Sequence, residues 1–233
     1  MPLRLLLQKG VLSVPANKDQ IKFVKGDEGA LTAYKFSSGP YSHLARCIQG
    51  INIRELKQTI KPGELCTEGG TPLTETEPEA STEVDGAKCY KGSCHCGAVT
   101  LSLTSKPIDH DYASEETPGP LECSCSICNG NIFLYIMKDQ LQLQGQENLM
   151  PYAFGYKLLS KPFCKVCGVN PVSDWLDISP EALSAVPEET RAYRDSVLDF
   201  LAVNLRTIDG LSVNKLDLAQ VDGANNGLAY ANP

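Results

Sequence analysis

Seven of the ten cysteines in this 233-residue chain stand in three tight groups: Cys94-His95-Cys96, Cys123-Ser-Cys125-Ser-Ile-Cys128 and Cys164-Lys-Val-Cys167. Thiols that close along a chain are poorly placed for a disulfide framework and well placed to share a metal ion. In an extended segment side chains alternate, so Cys94 and Cys96 share a face while His95 points away from it. Glycine follows the second cysteine of both the first and the third group, as Gly97 and Gly168, permitting the tight turn that brings backbone N–H groups toward the sulfurs. Cys94, Cys96, Cys164 and Cys167 therefore make two half-sites of one tetrahedral zinc site, closed by four sulfurs and hence structural. The competing reading is four buried free thiols.

The middle group offers three thiolates within six residues. Three protein ligands leave one position for an outside molecule, the mark of a catalytic zinc. Three thiolates outweigh the dication, so such an ion activates water poorly and suits a substrate thiol. Cys123, Cys125 and Cys128 are thus both metal ligands and the catalytic candidates; two zinc ions are expected, one structural and one catalytic. A fourth ligand from Cys66, Cys89 or His110 would close this site, and a third possibility is that it binds no metal. Cys47, Cys66 and Cys89 read singly as free thiols, His43 and His110 as solvated loop residues, and Trp175 as core.

The elements that must position these groups read as β. Alternating or β-branched runs occur at 98–103, 132–137, 141–143, 152–159 and 201–205, separated by Gly, Pro and Asp-Gly punctuation. One good helix candidate covers 187–200, with a Glu-rich first turn. Residues 61–87 are rich in Pro, Gly, Thr and Glu and nearly devoid of large apolar side chains, which predicts an exposed acidic linker. Upstream of it an internal repeat is visible: Lys18-Asp-Gln20 matches Lys138-Asp-Gln140, Gly26 matches Gly145, Tyr34-Lys-Phe36 matches Tyr152-Ala-Phe154, and Cys47 falls where Cys164 does. Asn52-Ile-Arg54 likewise resembles Asn204-Leu-Arg206. Residues 1–60 are read as a partial, degenerate copy of the zinc domain that has lost its metal clusters, with chance likeness of two hairpins as the alternative.

Gly92-Ser-Cys-His-Cys-Gly97, Cys123-Ser-Cys-Ser-Ile-Cys128, Phe163-Cys-Lys-Val-Cys-Gly168 and Ala202-Val-Asn-Leu-Arg206, taken in order, resemble the glutathione-dependent formaldehyde-activating enzyme family, also known as the centromere protein V/GFA domain. The resemblance covers residues 88 to about 225, within a domain taken as 88–233. It implies an all-β, β-tent (Mss-four-like) zinc-binding fold with minor helix. It also implies a structural zinc on Cys94, Cys96, Cys164 and Cys167, and a catalytic zinc on Cys123, Cys125 and Cys128. The activity implied is that of a carbon–sulfur lyase on S-(hydroxymethyl)glutathione, the adduct of glutathione and formaldehyde. The stretch 105–111 and Asn129 after the triplet depart from the family pattern and bear on which thiol is accepted.

Charge narrows the alternatives. With 21 basic against 28 acidic residues the chain carries −7, the wrong sign for nucleic-acid phosphates or anionic lipid. No run approaches the roughly 18 apolar residues of a membrane span, and Gln8 and Lys9 interrupt the apolar start before it reaches signal-peptide length. A cytoplasmic protein with a small glutathione-like thiol as partner, and no nucleic acid or membrane, is expected. The rival functions are a noncatalytic zinc-stabilised binding module, which would need a basic rather than an acidic tail, and an inactive paralogue with a closed second zinc site. Oligomeric state is not legible.

Overall fold

The computed structural model describes residues 86–223, apart from 115–117, 126, 129 and 130, together with the backbone of three short strands before residue 45. These are β1 (Leu6–Gln8), β2 (Val11–Val14) and β3 (His43–Leu44), an antiparallel sheet in the order β1-β2-β3. The remaining residues of the N-terminal copy, and residues 61–85 of the linker read at 61–87, lie outside the described residues. The chain divides into two compact units. One comprises Met1–Glu68, Glu122–Asn131 and Gln220–Pro233; the other comprises Gly69–Leu121 and Ile132–Ala219.

From residue 88 the strands are β4 (Lys88–Ser93), β5 (Thr100–Ser105), β6 (Leu121–Cys123), β7 (Ile132–Met137), β8 (Leu141–Gln144), β9 (Leu149–Met150), β10 (Leu159–Ser160), β11 (Phe163–Cys164), β12 (Val172–Trp175), β13 (Phe200–Asn204) and β14 (Ala219–Val221). The larger unit is built on two antiparallel layers. One runs β4-β5-β8 and the other β10-β12-β13-β7, with β11 paired to β9 at the side. The fold is all-β with little helix, as the alternating sequence pattern requires.

Alternation explains which side chains share the face that each layer turns to the core. Leu101 and Leu103 of β5, Ile132, Leu134 and Ile136 of β7, Val172 of β12, and Leu201 and Val203 of β13 form one buried cluster. The register sets Leu134 opposite Val203 and Ile136 opposite Leu201, so apolar side chains of adjacent strands meet on the same face. Asn204 ends this strand and ties it to its surroundings. Its side-chain amide donates to the Asn170 carbonyl at 2.8 Å, and its side-chain oxygen accepts from the Arg206 amide at 3.2 Å.

Two short helices join β12 to β13: α1 (Pro180–Ser184), capped by the Ser179 hydroxyl accepting from the Ala182 amide, and α2 (Glu188–Ser196). The aromatic run at 152–159, which alternates like a strand, is mostly turn. Gly155 and Lys157 both take positive φ, and the Lys157 amide donates to the Phe154 carbonyl at 2.9 Å. Only Ala153 makes an isolated bridge, to Ser160. Tyr152, Phe154 and Tyr156 are left exposed, so the alternation there marks a looped-out segment rather than a buried strand face.

Candidate metal centres

In the larger unit the first and third cysteine groups are brought together by two chain turns of matching design. Cys94 lies just past β4, and its amide donates to the Val99 carbonyl at 2.9 Å. Cys164 ends β11, and its amide donates to the Val169 carbonyl at 2.8 Å. Each turn closes on the glycine after its second cysteine. The Gly97 amide reaches the Cys94 carbonyl at 3.1 Å and the Gly168 amide reaches that of Cys164 at 2.7 Å. Gly97 and Gly168 hold φ of 76° and 75°, where a Cβ is strongly disfavoured. The sequence thus dictates two thiol-bearing turns, and the sheet layers set them face to face.

The four sulfurs of Cys94, Cys96, Cys164 and Cys167 all lie within 4.8 Å of one another. Cys96 Sγ is 3.6 Å from the sulfurs of both Cys94 and Cys164. A tetrahedron with zinc–sulfur bonds of about 2.3 Å has edges of about 3.8 Å, so the donor set and its spacing fit a zinc ion. Cys94 and Cys164 are fully buried and pack with Val99, Leu149 and Val169 into a second small core. The Val99 amide also points at Cys94 Sγ, 3.3 Å away. Such a backbone N–H is the kind of outer partner that supports sulfur in thiolate metal sites.

Packing four thiols this closely makes their ionisation unequal when no ion balances them. Burial, helped by neighbouring thiols, pushes Cys94 up to about 12. Burial also raises Cys96. Burial works in the same direction on Cys164, but the Cys167 and Val166 amides and the neighbouring thiols outweigh it and hold Cys164 below the usual thiol range. A cation at the centre removes this conflict, since it favours the thiolate of every ligand.

The smaller unit contains the middle group. Cys123, Cys125 and Cys128 have their sulfurs within 4.8 Å of one another, and among the described residues no fourth His, Cys, Asp or Glu joins them. The Cys128 amide donates to Cys125 Sγ at 3.4 Å. Hydrogen bonds from the Cys123 and Cys128 thiols, and then from the Cys128 and Ile127 amides, hold Cys125 far below the ordinary thiol range despite its burial. Cys123 moves the other way, raised chiefly by its hydrogen bond to Cys125. The hydrogen bonds converging on Cys125 thus favour its thiolate form, and the three sulfurs together could hold a metal ion.

The remaining candidates fall in neither group. Cys89 is exposed with its sulfur 3.2 Å from the Ser102 hydroxyl, and His110 is paired with Asp111 at 3.1 Å on the surface. Cys47, Cys66 and His43 are outside the residues whose side chains are described. Trp175 is half-buried with Tyr193 edge-on at 6.2 Å. None of the eight described cysteines is in a disulfide. No described helix is long and apolar enough to cross a membrane.

Residues 89–187 match the family model of the glutathione-dependent formaldehyde-activating enzyme, GFA. This segment is similar to that family. The GFA segment contains all seven clustered cysteines and ends before β13. Among solved structures, a crystal structure of a Rhodobacter sphaeroides protein is similar at 24% identity, over 55% of this chain and 99% of that chain, with a TM-score of 0.39. The match agrees with cysteine clusters that could hold zinc.

A third part of the middle centre was not legible in the sequence. The end of β14 and the residue after it run beside it: the Ser124 amide donates to the Val221 carbonyl at 3.0 Å, the Ser124 hydroxyl to Asp222 at 3.2 Å, and Gln220 to Glu122 at 3.4 Å. The Asp222-Gly223 pair is a turn signal in sequence, but nothing local connects it with the triplet.

Proposed function

We propose that this chain is a zinc-dependent carbon–sulfur lyase of the cytoplasm, acting on a thiol adduct such as S-(hydroxymethyl)glutathione. It binds two zinc ions, a structural one on Cys94, Cys96, Cys164 and Cys167 and a catalytic one on Cys123, Cys125 and Cys128. The observation that carries the reading is the triplet itself: three sulfurs gathered within 4.8 Å without a fourth His, Cys, Asp or Glu among the described residues. Closed sites serve structure, and three-ligand sites leave a position for substrate.

When bound there, zinc supplies a soft acceptor for a sulfur ligand and lowers the cost of releasing that sulfur as thiolate. The chain's part is to make the site selective. Three thiolates give a net charge near −1, which disfavours hydroxide and tolerates a polarisable sulfur. The amides of Ile127 and Cys128 neutralise part of the charge on Cys125 and fix its orientation. Cleavage of the adduct sends the carbon–sulfur electron pair to sulfur and the hydroxyl proton to solvent, and the carbon leaves as formaldehyde; the reverse sequence joins the two.

The test is exchange of carbon-13 label between formaldehyde and S-(hydroxymethyl)glutathione, followed by magnetisation-transfer NMR. Added protein should accelerate exchange over the buffer rate, and Cys123→Ser should abolish the acceleration while leaving circular dichroism unchanged. Equal rates with wild-type protein and buffer would refute the reading.

A further inference from the structure

Gly223 meets the triplet in a way that only glycine allows. A Cβ built there collides with Cys123 Sγ and comes to 3.0 Å from Cys125 Cβ and 3.3 Å from the Cys125 amide nitrogen. Real Cβ atoms essentially never come as close to a heavy atom as this one would to the Cys123 sulfur, the other two contacts are tighter than most, and two of the three neighbours are a ligand sulfur and backbone, which cannot swing aside as a surface side chain would. The approach is anchored by the two residues before Gly223. Ser124, between the first two cysteines, donates its amide to Val221 and its hydroxyl to Asp222, immediately before Gly223.

We propose that Gly223 is a positioning residue for the Cys123, Cys125 and Cys128 centre: the backbone of the Asp222–Gly223 turn forms one wall of the site, and a side chain at 223 would push Cys123 out of the ligand set. The inference rests on the reading of the triplet as a metal site and extends it. The wall restricts the free coordination position to a direction away from this turn, so an incoming thiol must enter from elsewhere. It also makes the second metal dependent on a residue outside the GFA segment at 89–187, whereas the four-cysteine site is built without it.

The experiment compares full-length wild type, Gly223→Ala and Gly223→Val, with Val221→Ala as the control for an exposed side chain on the same segment. Each is loaded with cobalt in place of zinc and titrated to give metal stoichiometry and the thiolate-to-cobalt charge-transfer spectrum, alongside a thermal melt. Because the Cβ itself makes the clash, alanine suffices. Gly223→Ala should weaken the second cobalt by at least about tenfold, the scale on which supporting residues act on metal affinity, and valine should abolish it. The four-thiolate spectrum and the melting transition should persist in both, and Val221→Ala should match wild type. Two cobalt ions with wild-type affinity and spectrum in Gly223→Ala would overturn the proposal while leaving the triplet reading intact. A single cobalt in wild type would overturn both, and equal weakening of both sites in Gly223→Ala would assign Gly223 to general folding.

Discussion

Replacing Cys164 by alanine gives the severest expected loss of stability. Cys164 is fully buried, its sulfur sits 3.6 Å from that of Cys96, and its amide closes the turn to Val169. Structural zinc in small domains supplies roughly 10–16 kcal/mol of apparent binding free energy at neutral pH, whereas whole domains are stable by only about 5–15 kcal/mol. Opening the site and leaving three crowded thiolates around a missing ligand need forfeit only half of the metal's contribution, ~5 kcal/mol, to approach the entire stability. At about 2–4 °C per kcal/mol for a unit of this size, the midpoint falls by ~10–20 °C or the cooperative transition disappears. The assay is a thermal melt by far-ultraviolet circular dichroism, with zinc measured on the same sample. A Cys164→Ala midpoint within about 3 °C of wild type, a change worth only ~1 kcal/mol, would refute the structural role of this site.

Cys125→Ala should lose one metal ion while keeping the melting transition, since the four-cysteine site lies in the other unit; unchanged metal content would show that the triplet holds none. Zinc affinity at the four-cysteine site should rise with pH. Burial raises both Cys94 and Cys96 in the metal-free fold, so both carry protons near neutrality, zinc must displace them, and competition with a chelator should show a gain of at least about 100-fold per pH unit between about pH 6 and 8; a flat profile would contradict this. Leu134→Ala, at a fully buried position between β13 and the β5 layer, should cost about 2–5 kcal/mol in denaturant melts without changing metal content. Asn204→Ala should cost ~1–3 kcal/mol by leaving the partly buried Asn170 carbonyl without this donor; a loss under ~0.5 kcal/mol would remove its tying role.

What the sequence disclosed follows physical scale. Ile132–Met137 forms a strand with the bounds its β-branched and aromatic run implies, and 201–205 is displaced by one residue, because both segments are buried and their pattern is set by packing. The glycines after Cys96 and Cys167 announced their turns because the φ they require is a local property. The run at 152–159 misled for the complementary reason: alternation cannot reveal that Gly155 and Lys157 take left-handed conformations and fold the segment on itself. Helix α1 carries a Ser-Pro-Glu start signal at 179–181, but its single turn is too short for periodicity to register. Gly223 was invisible because its role arises only when β14 lies beside the residues around Cys123, a tertiary pairing that no spacing encodes.

The most direct measurement of the central claim is a glutathione titration of the full-length protein with cobalt at both sites. An open three-thiolate centre accepts the external thiol, so the thiolate-to-cobalt charge-transfer band should grow and saturate with glutathione in wild type, and Cys123→Ser should remove the response. An unchanged spectrum up to millimolar glutathione, with two cobalt ions bound per chain, would contradict the claim and establish that the second centre is closed.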